Sequence, residues 1–168
     1  HPGGRGMRLH AQAIREHGTA DERARRIAGT PADRTGWTAT VSNTTSSTTG
    51  ATAMLDGNNS TAWRSSNSST AAKWAIINMG TLQTIKGLQL TPSYVSTNDN
   101  PTKITVSIST DSLTWTSQGT WTGTRPATGT TAANPDQKGI AFIAPVQTQY
   151  VRLDVTAVVS GSRSRIGE

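Results

Sequence analysis

The sequence contains no cysteine and only one phenylalanine. The first absence removes disulfide staples, thiol nucleophiles and cysteine-based metal sites. No apolar run approaches the ~20 residues that a membrane-spanning helix needs. Histidine is confined to His1, His10 and His17, so residues 36–168 have no imidazole for a Ser-His-Asp relay. Acidic residues are scarce there too, being only Asp56, Asp99, Asp111, Asp136, Asp154 and Glu168. Glycoside hydrolysis needs two carboxylates facing each other across about 5–10 Å. Of these six, only Asp99 and Asp136 stand in loops without another assigned role, and nothing in the sequence pairs them. No phosphate-cradling glycine loop or zinc motif is present. The chain therefore reads as non-catalytic.

What is there divides in two. Residues 1–35 hold all three His, seven Arg and four acidic residues, with no Phe, Trp, Tyr or Lys. Residues 36–168 hold all five Trp and both Tyr, with nine Lys or Arg and six acids. The net charge of +6 is thus split evenly between the two regions. No strip combines dense basic residues with interleaved aromatics, which argues against nucleic acid as a partner. The chain opens on His1 rather than Met, as expected of a chain whose true start has been removed or of a fragment.

The first region predicts a short helical extension. Met7–Glu16 has good helix formers, and His17-Gly18 ends them. Thr19 and Glu22 have capping-box spacing for a second helix that stops at Gly29. Its apolar face (Ala20, Ala24, Ile27) is thin, so it needs a partner to be stable. Residues 1–35 read either as a linker or as an arm that docks, through residues 7–28, on a neighbouring subunit.

The second region predicts strands. Ile104, Val106 and Ile108 alternate with Thr105, Ser107 and Ser109. Val151, Leu153 and Val155 alternate with Arg152, Asp154 and Thr156, and Ile140 with Phe142 follows the same rule. Such period-two patterning buries one face and wets the other. Trp74–Asn78 and Ile85–Leu90 are further short apolar runs. Turn signals fall at Asp56-Gly57, Met79-Gly80, Asn98–Pro101, Asp111-Ser112 and Ala133–Gly139. Repeated short strands without intervening helices predict an all-β antiparallel sandwich, or jelly roll, over residues 36–168. Trp37, Trp63, Trp74 and Trp115 are expected in its core, since large aromatics are mostly buried.

The ordered segments carry a family likeness. Gly36-Trp37 is followed by Ala53-Met54-Leu55-Asp56-Gly57-Asn58-Asn59-Ser60-Thr61-Ala62-Trp63. Then come Trp74–Gly80, Thr84–Leu88, Val106–Trp115, Tyr150–Leu153 and Ile166-Gly167-Glu168. This order resembles the coagulation factor 5/8 C-type, or discoidin, domain, a galactose-binding-like fold. Within it, the order is most similar to the bacterial family 32 carbohydrate-binding modules.

The most specific chemistry is Asp56-Gly57-x-x-x-Thr61. A hard cation such as Ca²⁺ takes about 6–8 oxygen ligands. A tight loop bearing Asp56 and Thr61 offers several, and Gly57 permits the sharp turn. Ala53 and Asn58 can add carbonyls, and Glu168 a distant second carboxylate. The resemblance implies the same set, with carbonyls of Ala53, Asn58 and Gly167, the Asp56 and Glu168 carboxylates, and Thr61. The metal would be structural. The alternative is a plain Asp-Gly turn with a satisfied Thr hydroxyl.

The resemblance also implies a sugar site in loops at one end of the sandwich. An aromatic ring would stack on the sugar's apolar face while planar polar groups fix its hydroxyls. Candidates are Arg64, Tyr94, Asn98, Asn100, Trp121 and Arg125, with Arg163 and Arg165 in a further loop. Tyr94 suits stacking because its loop is polar. The loop after Leu90 reads Thr91–Val95 without Arg, and no His is available, so the resemblance implies a glycan without implying galactose. Two functions follow as expectations. One is a non-catalytic module attaching a larger protein or particle to glycans. The other is a structural domain decorating a surface or virion assembly. Either would work extracellularly, on a cell or virion surface.

Overall fold

The structure, a computed structural model of the chain, describes residues 31–45, 50–67, 70–91, 97–123 and 138–167. Among these the regular elements are strands and two short 3-10 turns, Ala51–Met54 and Thr97–Asp99. The helical extension expected over residues 7–28 lies outside the described residues. No described helix is long and apolar enough to cross a membrane.

The strands are β1 (Thr38–Val41), β2 (Trp63–Arg64), β3 (Trp74–Leu90), β4 (Pro101–Ser109), β5 (Thr116–Thr122), β6 (Lys138–Val158) and β7 (Arg165–Ile166). Five form an antiparallel sheet in the order β1-β3-β6-β4-β5, and β2 pairs with β7. The expected alternation is present. Ile104, Val106, Val151, Leu153 and Val155 are buried, while Thr105 and Thr120 join hydroxyls on the other face.

The long strands explain how one ladder makes two layers. Trp74–Asn78 pairs with Tyr150–Asp154, whereas Gln83–Leu90 pairs with Lys138–Thr148. Between them the register breaks at Asn78/Gln83. Gly80 sits there at φ +78, a left-handed backbone that suits glycine, and its N–H is taken by the Asn78 side chain at 2.9 Å. Fully extended, Ile77 and Leu90 would lie about 43 Å apart at 3.3 Å per residue. Instead Ile77, Met79, Val151 and Leu153 line the same cavity of about 540 Å³ as Ile85, Leu88 and Leu90. The ladder therefore folds over, and its halves face each other across one apolar core, as a β-sandwich requires. Met79-Gly80, read as a turn between strands, is the bend inside one strand.

The β2–β7 ribbon closes one side. Trp63 stands opposite Ile166, and both are buried. Trp63 has no exposed surface, and its indole N–H donates to the Asn43 carbonyl at 2.8 Å. That bond satisfies the one polar atom a buried Trp carries. Ser65 N–H to the Ser164 carbonyl, and Ser164 N–H to Ser65 Oγ, extend the pairing toward a polar end.

Candidate functional site

The loop between Ala53 and Thr61 is built by local rules. The 3-10 turn Ala51–Met54 delivers the Ala53 carbonyl, and Gly57 reverses the chain at φ +73. Asp56 Oδ1 accepts the Asn58 N–H at 2.9 Å, and Asn58 Oδ1 accepts the Ser60 N–H at 2.9 Å. Four oxygens then converge. Thr61 Oγ1 lies 2.7 Å from Asp56 Oδ2, 2.8 Å from the Asn58 carbonyl and 3.5 Å from the Ala53 carbonyl. A hydroxyl has a single proton, so it can serve only one of these three acceptors at a time. The Asn58 carbonyl also accepts the Thr61 N–H at 3.0 Å, and the oxygens that the hydroxyl does not serve are donors a cation could use. No three His, Cys, Asp or Glu side chains gather among the described residues. Any metal held here would rest chiefly on carbonyls and one carboxylate, a hard-cation donor set.

The C-terminal segment arrives at this loop. Gly167 N–H donates to the Thr91 carbonyl at 3.1 Å. A Cβ on Gly167 would stand 2.7 Å from that carbonyl oxygen and 3.5 Å from the Thr61 carbonyl. Only glycine lets the last strand approach so closely. Four of the six expected ligands, Ala53, Asp56, Asn58 and Thr61, thus share one point, with Gly167 beside Thr61. Glu168 lies outside the described residues.

Further along the same ribbon, arginines gather. Arg64 and Arg165 are register partners across β2–β7. Arg165 is only 8% exposed and pairs with Asp99 at 2.9 Å. Burial first, then Arg165 and Arg163, lower the pKa of Arg64, with Asp99 opposing them. The segment around Asp99 is tied in by its backbone, since Ser160 N–H donates to the Asn98 carbonyl and Val159 N–H to the Asn100 carbonyl. Ser162 Oγ reaches Asn67 Oδ1 at 2.8 Å, fastening the neighbouring loops.

Residues 38–167 match the family model of the F5/8 type C domain. The chain belongs to this family. No curated protein matches the F5/8 type C domain of this chain in sequence. Its fold is similar to the family 32 carbohydrate-binding module of Clostridium perfringens NanJ, solved in complex with galactose, with TM-score 0.66 and 18% identity over 79% of this chain and 90% of that one. A second Clostridium perfringens module of family 32, in complex with GalNAc-β-1,3-galactose, has TM-score 0.67 and 16% identity over 79% and 92%. Chitosan-binding module 1 from a Paenibacillus sp. IK-5 chitosanase/glucanase has TM-score 0.61 and 23% identity over 77% and 89%.

Within the F5/8 type C domain, the structure gathers Arg64 and the Asn98–Asn100 segment, with Arg163 and Arg165 beside them. Asn98 is exposed, but Asn100 is only 2% exposed, so its side chain is enclosed rather than presented to solvent. Trp121 is placed on a strand. It is a β5 strand residue opposite Ile104, partly buried against the core, and a side chain at Gly123 would collide with its ring. Tyr94 and Arg125 lie outside the described residues. Trp74 and Trp115, expected in the core, instead flank Arg152, whose guanidinium is 5.2 Å and 6.0 Å from their ring centres. Arg152 also binds Asp154 through two nitrogens, each at 2.9 Å. Trp37 does pack on the core, partly buried. Asp99 and Arg165 were legible only as loop and surface residues. Their pairing spans 66 positions, and no local pattern signals it.

Proposed function

We propose that this F5/8 type C domain is a non-catalytic carbohydrate-binding module that attaches a larger protein or particle to glycans outside the cell. The observation that carries this reading is the polar end of the sandwich. There Arg64, Arg163, Arg165 and Asn98 come together from segments far apart in sequence. Planar donors in fixed relation suit sugar hydroxyls, and Tyr94 falls in sequence between Thr91 and this group. Similarity to modules solved with galactose and GalNAc-β-1,3-galactose supports the same reading.

A Ca²⁺ ion belongs to this proposal as a structural element. Ala53, Asp56, Asn58, Thr61, Gly167 and Glu168 would hold it. Bound there, it neutralises the crowded oxygens and fastens the end of the chain to the loop. The residues' own part is to keep that loop shaped, through the Asp56–Asn58 and Asn58–Ser60 bonds.

A glycan array probed with the whole chain in calcium tests the reading, with Tyr94→Ala and Arg125→Ala as variants. Binding to at least one glycan, weakened by Tyr94→Ala, is the expected result. If no glycan binds at millimolar concentration, the module reading fails.

A further inference from the structure

The arginine end of the ribbon has more positive charge than its own acids offset. Arg165 and Arg163 both act on Arg64, with Asp99 as the carboxylate among them. Asp99 is committed to Arg165 at 2.9 Å, with side-chain exposures of 13% and 10%. Other described acids are engaged elsewhere. Asp33 is bonded by Thr35, Asp56 lies in the oxygen loop, Asp111 in its own turn, and Asp154 on Arg152. Three guanidinium groups and one carboxylate leave this end with a net charge of +2.

Hydrogen bonding marks the same place. Among the described residues, the buried side-chain polar atoms without a partner are Arg64 Nε, Arg163 Nε and Ser164 Oγ. All three belong to the β2–β7 ribbon or the residues leading into it. Native proteins leave few such groups, because each costs desolvation without return. These three atoms are closed to solvent, so an acceptor brought from outside would meet the exposed parts of Arg64 and Arg163, beside like charges held together. Each guanidinium offers a planar fork of N–H donors, which can engage two oxygens of a carboxylate or sulfate at once. Neutral hydroxyls would answer the donors but not the charge. Arg64 and Arg163 are both partly exposed, so the ligand meets them at the surface while Arg165 and Asp99 form the floor.

We propose that Arg64 and Arg163, braced by the Arg165–Asp99 pair, form a subsite for the acidic group of a saccharide, a sugar carboxylate or sulfate. This rests on the glycan-binding reading and narrows it to anionic glycans.

The test is calorimetric titration of the whole chain with trigalacturonic acid, with its methyl ester, and with a sulfated galactoside, at low and high salt. Phosphatidylserine vesicles are a separate arm. The acid and sulfate ligands should bind about tenfold more tightly than the ester, the scale of a charge-assisted bond. The gap should narrow as salt screens it. It should close in Arg163→Gln and in Arg64→Gln, with thermal unfolding checked to show that both variants fold. Equal binding of acid and ester overturns the acidic subsite and leaves the module reading standing. A gap that persists in both variants overturns the assignment to these residues. Binding to vesicles but to no acid saccharide overturns it as well. If neither acid nor ester binds, and the glycan array is also blank, both readings fall together.

Discussion

Replacing Asp56 by Asn separates a cation site from an ordinary turn. Asn keeps an oxygen for the Asn58 N–H that Asp56 Oδ1 now accepts at 2.9 Å. Its amide would stand where Oδ2 now meets Thr61 Oγ1 at 2.7 Å. The amide donates to Thr61, whose hydroxyl then serves the Asn58 carbonyl, 2.8 Å away. Every hydrogen bond of the loop survives, so without metal the variant should stay within about 0.5 kcal/mol of the parent. Calcium changes the comparison. At a concentration 100-fold above Kd, a ligand that binds only the folded state adds about 2.7 kcal/mol. At about 4 °C per kcal/mol for a domain this size, Tm of the parent rises by roughly 10 °C. Asp56→Asn removes the one charged oxygen among the described ligands, and most of that rise should disappear. Scanning calorimetry of both proteins in EGTA and in calcium reads the four values. Should the parent's Tm ignore calcium, or the variant lose as much in EGTA as in calcium, the loop is a turn and nothing more.

Gly167→Ala would place a methyl 2.7 Å from the Thr91 carbonyl oxygen, so the backbone must part there. Chemical denaturation should show a loss of about 1–3 kcal/mol. Asp99→Ala leaves Arg165 buried and unpaired, which should cost about 3–5 kcal/mol. The double replacement Asp99→Leu/Arg165→Leu should recover much of that loss in the same assay. Asp111 accepts N–H bonds from Thr114 and Leu113 and a hydroxyl bond from Ser109, which hold its pKa at about 2 instead of 3.8. Because the folded value is depressed, its contribution is complete above 3.8 and is lost as pH falls toward 2. Asp111→Asn should therefore flatten the acid limb of a Tm-against-pH curve, and an unchanged limb would count against this assignment.

The sandwich was legible because its signals are local. Alternation at Ile104–Ile108 and Val151–Val155 fixes which face is buried, whatever the partner strand. The Asp56–Thr61 loop was legible for the same reason, since its bonds span five residues or fewer apart from the Ala53 contact. Features set by distant residues were not. Arg165 reads as a surface cation until Asp99 is known to lie against it. Trp74 and Trp115 read as core residues, because hydrophobicity alone does not reveal an arginine between them. Trp121 reads as a ring without a stated place, and its pairing opposite Ile104 on β5, partly buried against the core, is set by a strand that its own segment does not reveal. Met79-Gly80 carries a real turn signal, and only the shared partner β6 shows that the strand continues through it.

The short ribbon has a consequence for how the molecule is made. Trp63 gains its strand partner only when Ile166 arrives, about a hundred residues later in synthesis. Contacts of such long range slow folding, because the loop must close before it is rewarded. On the ribosome, β3 can pair with β6 while Trp63 still lacks its strand partner. A release or cut just before residue 165 would leave a nearly complete five-stranded sheet with the edge of β2 unpaired, a species prone to stick to its own kind.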